Sequence, residues 1–173
     1  MPKVQLFVAA LSLLMPLASP AAASSRGNIV AAASASPDFS TLVTAVKAAK
    51  LTDTLASKGP FTVFAPTNDA FAKLPAGTVE TLLKPENRSQ LAGILTYHVV
   101  PGRYSAAEIL AAIKAGGGSA TLTTVEGGKL SAAVLDGKVV LTDEKGGMAT
   151  VTQADLMQSN GIIHVIDTVV LPN

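Results

Sequence analysis

The chain has 173 residues, with 13 Lys plus Arg against 12 Asp plus Glu and a formal net charge of +1. No basic run stands out, which argues against nucleic acid or a strongly anionic membrane surface as a partner. There is no Cys, so disulfides, lipid attachment through Cys, thiolate metal sites and Cys nucleophiles are excluded, and stability must come from burial.

Lys3, the apolar run from Val4 to Leu17 broken by Pro16, and Ala21-Ala22-Ala23 follow one another in the order of a secretory signal peptide. Cleavage is expected after Ala23, making 1–23 the signal. The alternative is an N-terminal membrane anchor, but a spanning helix needs about 20 apolar residues, more than this run supplies. The ending VVLPN has no hydrophobic tail of the glycolipid-anchor kind. The expectation is an exported protein, periplasmic or extracellular, with no membrane insertion after cleavage. Without Lys3 the two charge signs balance at 12 each.

Residues 24–35 are mostly Ala, Ser and Gly and read as a flexible lead-in. A single domain is expected over 36–173. Ser36-Pro37 opens a helix with Ser as cap and Pro at the first position. Phe39, Leu42, Val43 and Val46 share its apolar face. A short helix around Thr52 to Ser57 carries Leu55 inward, and Gly59-Pro60 leads to Phe61. The stretch FTVFAPTNDAF, 61–71, reads as a buried strand that turns into a helix. Phe61 to Phe64 are strand formers, Pro66 ends pairing near Ala65, and Thr67 or Asn68 caps the helix. Asp69 suits its dipole. Three of the chain's five Phe lie here, and Phe61, Val63, Phe64 and Phe71 are expected in the core.

Two more helical segments follow, Thr78 to Leu83 and one from about Glu86 with Leu91, Ile94 and Leu95 inward. Asn87-Arg88-Ser89 matches the glycosylation sequon, or occurs by chance on an exposed turn. Thr96 to Val100, TYHVV, reads as a strand. Ser105 caps a helix to about Ala115 with Ile109, Leu110 and Ile113 inward, ended by Gly116-Gly117-Gly118. Five strand candidates complete the chain: Thr121 to Glu126, Lys129 to Leu135, Lys138 to Thr142, Met148 to Gln153 and Ile162 to Leu171. Gly127-Gly128 and Asp136-Gly137 read as two-residue hairpin turns. Ile162 to Leu171 is apolar on both faces, as a central strand should be. Gly161 before it marks a tight turn. Helices first and strands later make an α+β pattern.

Three segments resemble the signature boxes of the fasciclin (FAS1) domain: FTVFAPTNDAF at 61–71, LTYHVVPG at 95–102 and NGIIHVIDTVVLP at 160–172. Their order and separation fit, and the resemblance covers Ser36 to Pro172. It implies a FAS1-like wedge of two β-sheets packed at a steep angle, with helices along one edge. It also implies a small secreted single-domain bacterial type, in a family associated with adhesion and matrix organisation and not generally enzymatic. Phe61, Phe64, Pro66, Thr67, Asn68, Asp69, Phe71, Tyr97, His98, Gly161 and His164 are then structural motif residues. Tyr97-His98 and Asp155-Leu156 also match places proposed as partner-binding motifs in animal relatives.

The residues themselves offer no catalytic constellation. No G-x-S-x-G elbow or phosphate loop occurs, and no cofactor or metal is expected. His98 and His164 lack metalloenzyme spacing and read as buried strand histidines, each with a ring nitrogen hydrogen-bonded. Thr67, Asn68 or Asp69 is the expected partner of His98. Asp143-Glu144 reads as a solvated turn, and Leu156 and Met157 read as closing a short helical turn over the core. Function is expected to be non-enzymatic binding or adhesion, with a surface protein or polysaccharide as partner. The alternative is carriage of an apolar small molecule such as a carotenoid, since small residues abound, Trp is absent and the lead-in could cover a groove.

Overall fold

The computed structural model describes residues 27–57 and 59–173. The expected signal peptide, 1–23, lies outside them, as do the first residues of the lead-in.

The rest of the lead-in is not loose chain. Ile29–Ala35 form helix α1, capped by Asn28, whose Oδ1 accepts from the Ala31 amide. Alanine favours helix, and Ile29 and Ala33 are buried, so packing holds a segment that composition alone made flexible. A 3₁₀ turn, Pro37–Phe39, leads into α2, Ser40–Ala48, which buries Leu42 and Val46 as its spacing predicts. Helix α3, Thr52–Ala56, buries Leu55. Strand β1 runs Phe61–Pro66, and α4, Asn68–Ala72, starts at once, with Thr67 Oγ1 accepting from the Ala70 amide. Helix α5 is Thr78–Leu82.

Helix α6, Arg88–Tyr97, corrects the strand expected over Thr96–Val100. His98 is its C-cap, and only Val99–Pro101 form a strand, β2. Helix α7, Ala106–Ala115, carries a reciprocal capping box between Ser105 and Glu108. These hydrogen bonds from Ser105 hold the Glu108 carboxyl below its ordinary range. Ile109 and Ile113 face inward, but Leu110 is exposed, on the far side of the helix.

The strands that follow are β3 Ser119–Thr123, β4 Lys129–Leu135, β5 Lys138–Thr142, β6 Met148–Gln158 and β7 Gly161–Ile166. Asp136 and Gly137 both have positive φ, 51° and 76°, and make the two-residue turn expected of them. Gly127-Gly128 does not. It ends a five-residue loop closed by the Thr124 amide on the Gly128 carbonyl, 2.9 Å. Strand β6 runs on through Asp155-Leu156-Met157, so no helical turn forms there; register shifts absorb the irregularity, and Asp155 has φ 59°. Strand β7 ends at Ile166, short of Leu171, although Val169 and Val170 remain buried.

The seven strands are hydrogen-bonded in the order β2-β1-β7-β6-β5-β4-β3. Only β1–β7 is parallel, in register from Phe61 opposite Gly161 to Pro66 opposite Ile166. The two expected sheets are halves of one ribbon joined through β6, whose early residues pair with β5 and later residues with β7. The Val125 amide donates to the Val99 carbonyl at 2.8 Å, so the curved ribbon nearly closes on itself. Alternation on β1 and β7 divides the interior. Val63, Ala65, Ile163 and Val165 pack against α1, α2, α4 and α6. Phe64 and Ile166 face the other way, among Ile109, Leu130 and Leu141. Every residue of β7 is buried, as expected of an interior strand covered on both faces.

Candidate functional site

The motif residues converge on the parallel pair β1–β7. Phe64 and His164 lie opposite each other in register, with ring centroids 5.5 Å apart and stacked. The His164 Nε2–H donates to the Tyr104 carbonyl at 2.7 Å, and Nδ1 accepts from the Asp155 amide at 3.3 Å. His98 has the opposite tautomer. Its Nδ1–H donates to the Ile94 carbonyl, one turn back in α6, at 2.7 Å, and its Nε2 accepts from the Val170 amide at 3.2 Å. Each partner fixes which nitrogen carries the proton. Burial pushes His98 down to about 4 and also lowers His164. Both rings are neutral staples between distant segments.

His98 therefore does not meet the turn at Thr67–Asp69. Because Tyr97 and His98 end a helix rather than lie in a strand, the His98 ring points along α6 and toward the segment after β7. Asn68 serves another purpose. Its Oδ1 accepts from the Thr41 amide at 3.0 Å and the Ser40 hydroxyl at 3.2 Å, and its Nδ2 donates to the Pro37 carbonyl at 2.9 Å. It clamps the start of α2. Asp69 is exposed, in the first turn of α4.

Tyr97 is fully buried; its hydroxyl donates to the Lys129 carbonyl at 2.7 Å and accepts from the Glu144 amide at 3.3 Å. Burial raises its phenol pKa. As partner-binding residues Tyr97 and His98 are corrected by their burial, 0% and 1% exposed. Asp155 is on the surface, but its Oδ1 accepts from the Ala106 amide at 2.7 Å and so holds the start of α7. Leu156 is half-buried.

Sequence reading missed three polar junctions. Asn160 accepts from the Ile29 amide at 3.0 Å and donates to the Leu55 and Ser57 carbonyls at 2.6 and 2.9 Å. It ties α1, α3 and the β6–β7 turn together. The Asn-Gly pair at 160–161 was its available signal. Asp143 is buried, not solvated. Its carboxylate accepts from the Lys145, Gly147 and Leu171 amides at 3.0, 2.7 and 3.0 Å. Thr62 donates to the Gly102 carbonyl and accepts from the Tyr104 amide, both at 2.8 Å.

Among the described residues, no buried side-chain nitrogen or oxygen lacks a partner, and no three His or acidic side chains could hold a metal ion together. Depressions remain at the surface. A narrow apolar fissure of about 30 Å³ lies between α1, α2, α3 and β1, lined by Ile29, Ala33, Leu42, Val46, Leu55 and Val63, with Lys47 and Thr52 at its edge. An open recess of about 680 Å³ with mixed polar and apolar walls lies beside the β6–β7 turn. A third, about 440 Å³, lies between α1 and the irregular part of β6, where Phe39, Leu156 and Met157 line it.

The family model for the fasciclin domain matches residues 37–172. The chain belongs to the fasciclin domain family. This fasciclin domain is 53% identical over 154 residues to "Protein sll1483" of Synechocystis, covering 89% of this chain and 78% of that protein. It is 36% identical to "Immunogenic protein MPB70" of Mycobacterium bovis, covering 86% of this chain and 70% of that one. Likeness to the much longer "Transforming growth factor-beta-induced protein ig-h3" of Sus scrofa reaches 41% identity over 78% of this chain and 18% of the relative. The fold superposes with TM-score 0.73 and 23% identity on a solved FAS1 domain pair from the insect cell adhesion molecule Fasciclin I. That match covers 84% of this chain and 51% of the pair, so the chain spans about half its length.

Proposed function

We propose that this fasciclin domain is an exported, non-enzymatic binding module that holds a surface protein or polysaccharide at the cell surface or in the surrounding matrix. The observation that carries the reading is the engagement of the motif side chains. His98, His164, Tyr97, Asn68 and Asp155 all make hydrogen bonds within the fold. General acid–base work needs a group within reach of substrate and free to exchange a proton, whereas these rings join buried segments. What remains for function is the surface. Likeness to a domain pair of a cell adhesion molecule supports the same reading. Beads coated with the exported protein, mixed with cells of its own source, test it: aggregation is expected, and dispersed beads overturn the reading.

The apolar fissure favours a second reading. Helix α1 covers it with Ile29, Val30 and Ala33, so its outward movement would open an apolar groove for an elongated ligand such as a carotenoid. Protein from its native source would then absorb visible light. Colourless protein that takes up no added pigment removes this reading and leaves the first intact.

A further inference from the structure

We infer that the open recess beside the β6–β7 turn is a binding site for acidic saccharide, with Arg103 as the contact for a uronate carboxylate. The inference rests on the reading of the domain as a binding module and names the partner class. Four separate segments build the recess: Asn28 before α1, Ser57 and Pro60 between α3 and β1, Arg103 between β2 and α7, and Ser159 with Asn160 at the β6–β7 turn.

The lining is mixed, which suits a sugar, whose ring faces are apolar and whose edges carry hydroxyls. Polar and apolar surface share it in nearly equal measure, Asn28, Ser57 and Asn160 already hydrogen-bond within the fold, and no carboxylate among the described residues takes part. Its volume, about 680 Å³, falls in the range of small-molecule sites. Arg103 is the one cation lining it among the described residues. It is exposed, and no carboxylate among those residues forms an ion pair with it. A guanidinium presents paired donors that match a carboxylate in two parallel hydrogen bonds.

Hydrogen bonds tie the frame together. The Gly102 amide donates to the Pro60 carbonyl at 2.9 Å, and Thr62 holds Gly102 and Tyr104 on either side of Arg103. The His164 ring holds the Tyr104 carbonyl. On the opposite wall, Asn160 fixes α1 and the α3 end with three hydrogen bonds. Preorganisation of this kind reduces the ordering cost of binding. With the chain's charge near balance overall, attraction to a polyanion arises locally at Arg103 rather than from net charge.

Affinity electrophoresis of the exported full chain through native gels containing polygalacturonate tests the site, with dextran and dextran sulfate gels alongside. Retardation is expected in polygalacturonate and not in dextran. Arg103→Ala should weaken it at least tenfold, Arg103→Lys less, and Arg88→Ala, at the exposed start of α6 and outside the recess, not at all. Melting temperatures of all variants should agree, since Arg103 is exposed. No retardation of the wild type, equal retardation of Arg103→Ala, or equal retardation in dextran overturns the inference. So does dextran sulfate binding as tight as polygalacturonate and insensitive to Arg103. Any of these outcomes with beads that still aggregate cells leaves the adhesion reading standing, whereas dispersed beads remove that reading.

Discussion

His98 shows how one side chain can bind a fold together and make it sensitive to acid. The unfolded ring takes up a proton near pH 6.5, but the buried ring does so only near 4. Acid therefore favours the unfolded chain. The stability held above about pH 6.5 is lost as pH falls toward 4 and changes little further below it. The full shift amounts to about 3 kcal/mol. His164, also lowered by burial, adds in the same direction. Urea midpoints at pH 7, 5 and 4 should fall steeply for the wild type. His98→Gln should start lower and fall less, and parallel slopes would count against this role. At the β1–α4 turn, Asn68→Ala removes three hydrogen bonds and should cost roughly 1–3 kcal/mol. Asp69→Ala loses only an exposed dipole contact and should cost under about 1 kcal/mol. Thermal melts of the two variants rank them, and the reverse order would make Asp69 the anchor. The sequence shows that these are polar residues at a strand-to-helix turn. It does not show which of them reaches α2, because the partners Pro37 and Thr41 come near only in the fold.

Elements read best where local chemistry decides them. Strands β4 and β5 have the expected limits because Asp136-Gly137 tolerates two positive φ angles in succession. Ser105 and Glu108 mark the start of α7 because the capping box is complete within four residues. TYHVV failed because its strand-forming residues are overruled by packing: α6 continues until the Tyr97 hydroxyl reaches the Lys129 carbonyl on β4. Helix α1 failed for the opposite reason. Its Ala-rich sequence is helical but carries little apolar surface, and only the contacts of Ile29 and Ala33 show that it is docked. Helix α1 and β1–β7 meet at Gly161. A Cβ there would strike the Phe61 carbonyl and come within 2.9 Å of Ile29 Cδ1. Gly161→Ala should therefore separate β1 from β7 or expel α1, at a cost of more than about 3 kcal/mol. Circular dichroism and melting would report it, and a melting temperature within a degree or two of wild type would show that the junction yields.

At the scale of the whole molecule, helices that form locally must wait for a sheet that does not. Phe61 pairs with Gly161 across a hundred residues of sequence, and the His98 staple waits for Val170. Such distant pairing slows folding for a given size. Refolding by stopped-flow should occupy milliseconds to seconds, on the order expected of non-local β-rich domains. Completion within tens of microseconds would mean that the helices carry the transition state. The overall class was legible because helix-rich and strand-rich halves separate along the chain. The near-closure of the ribbon was not, because it depends on the curvature of β6 and on one amide, Val125, reaching β2. The position of β7 has a consequence for biosynthesis. The strand that pairs with both β1 and β6 follows them in the chain, so a nascent polypeptide can close neither interior before Gly161–Ile166 are made. Until then β1 and β6 each keep one edge unpaired, which exposes the growing chain to pairing with other strands.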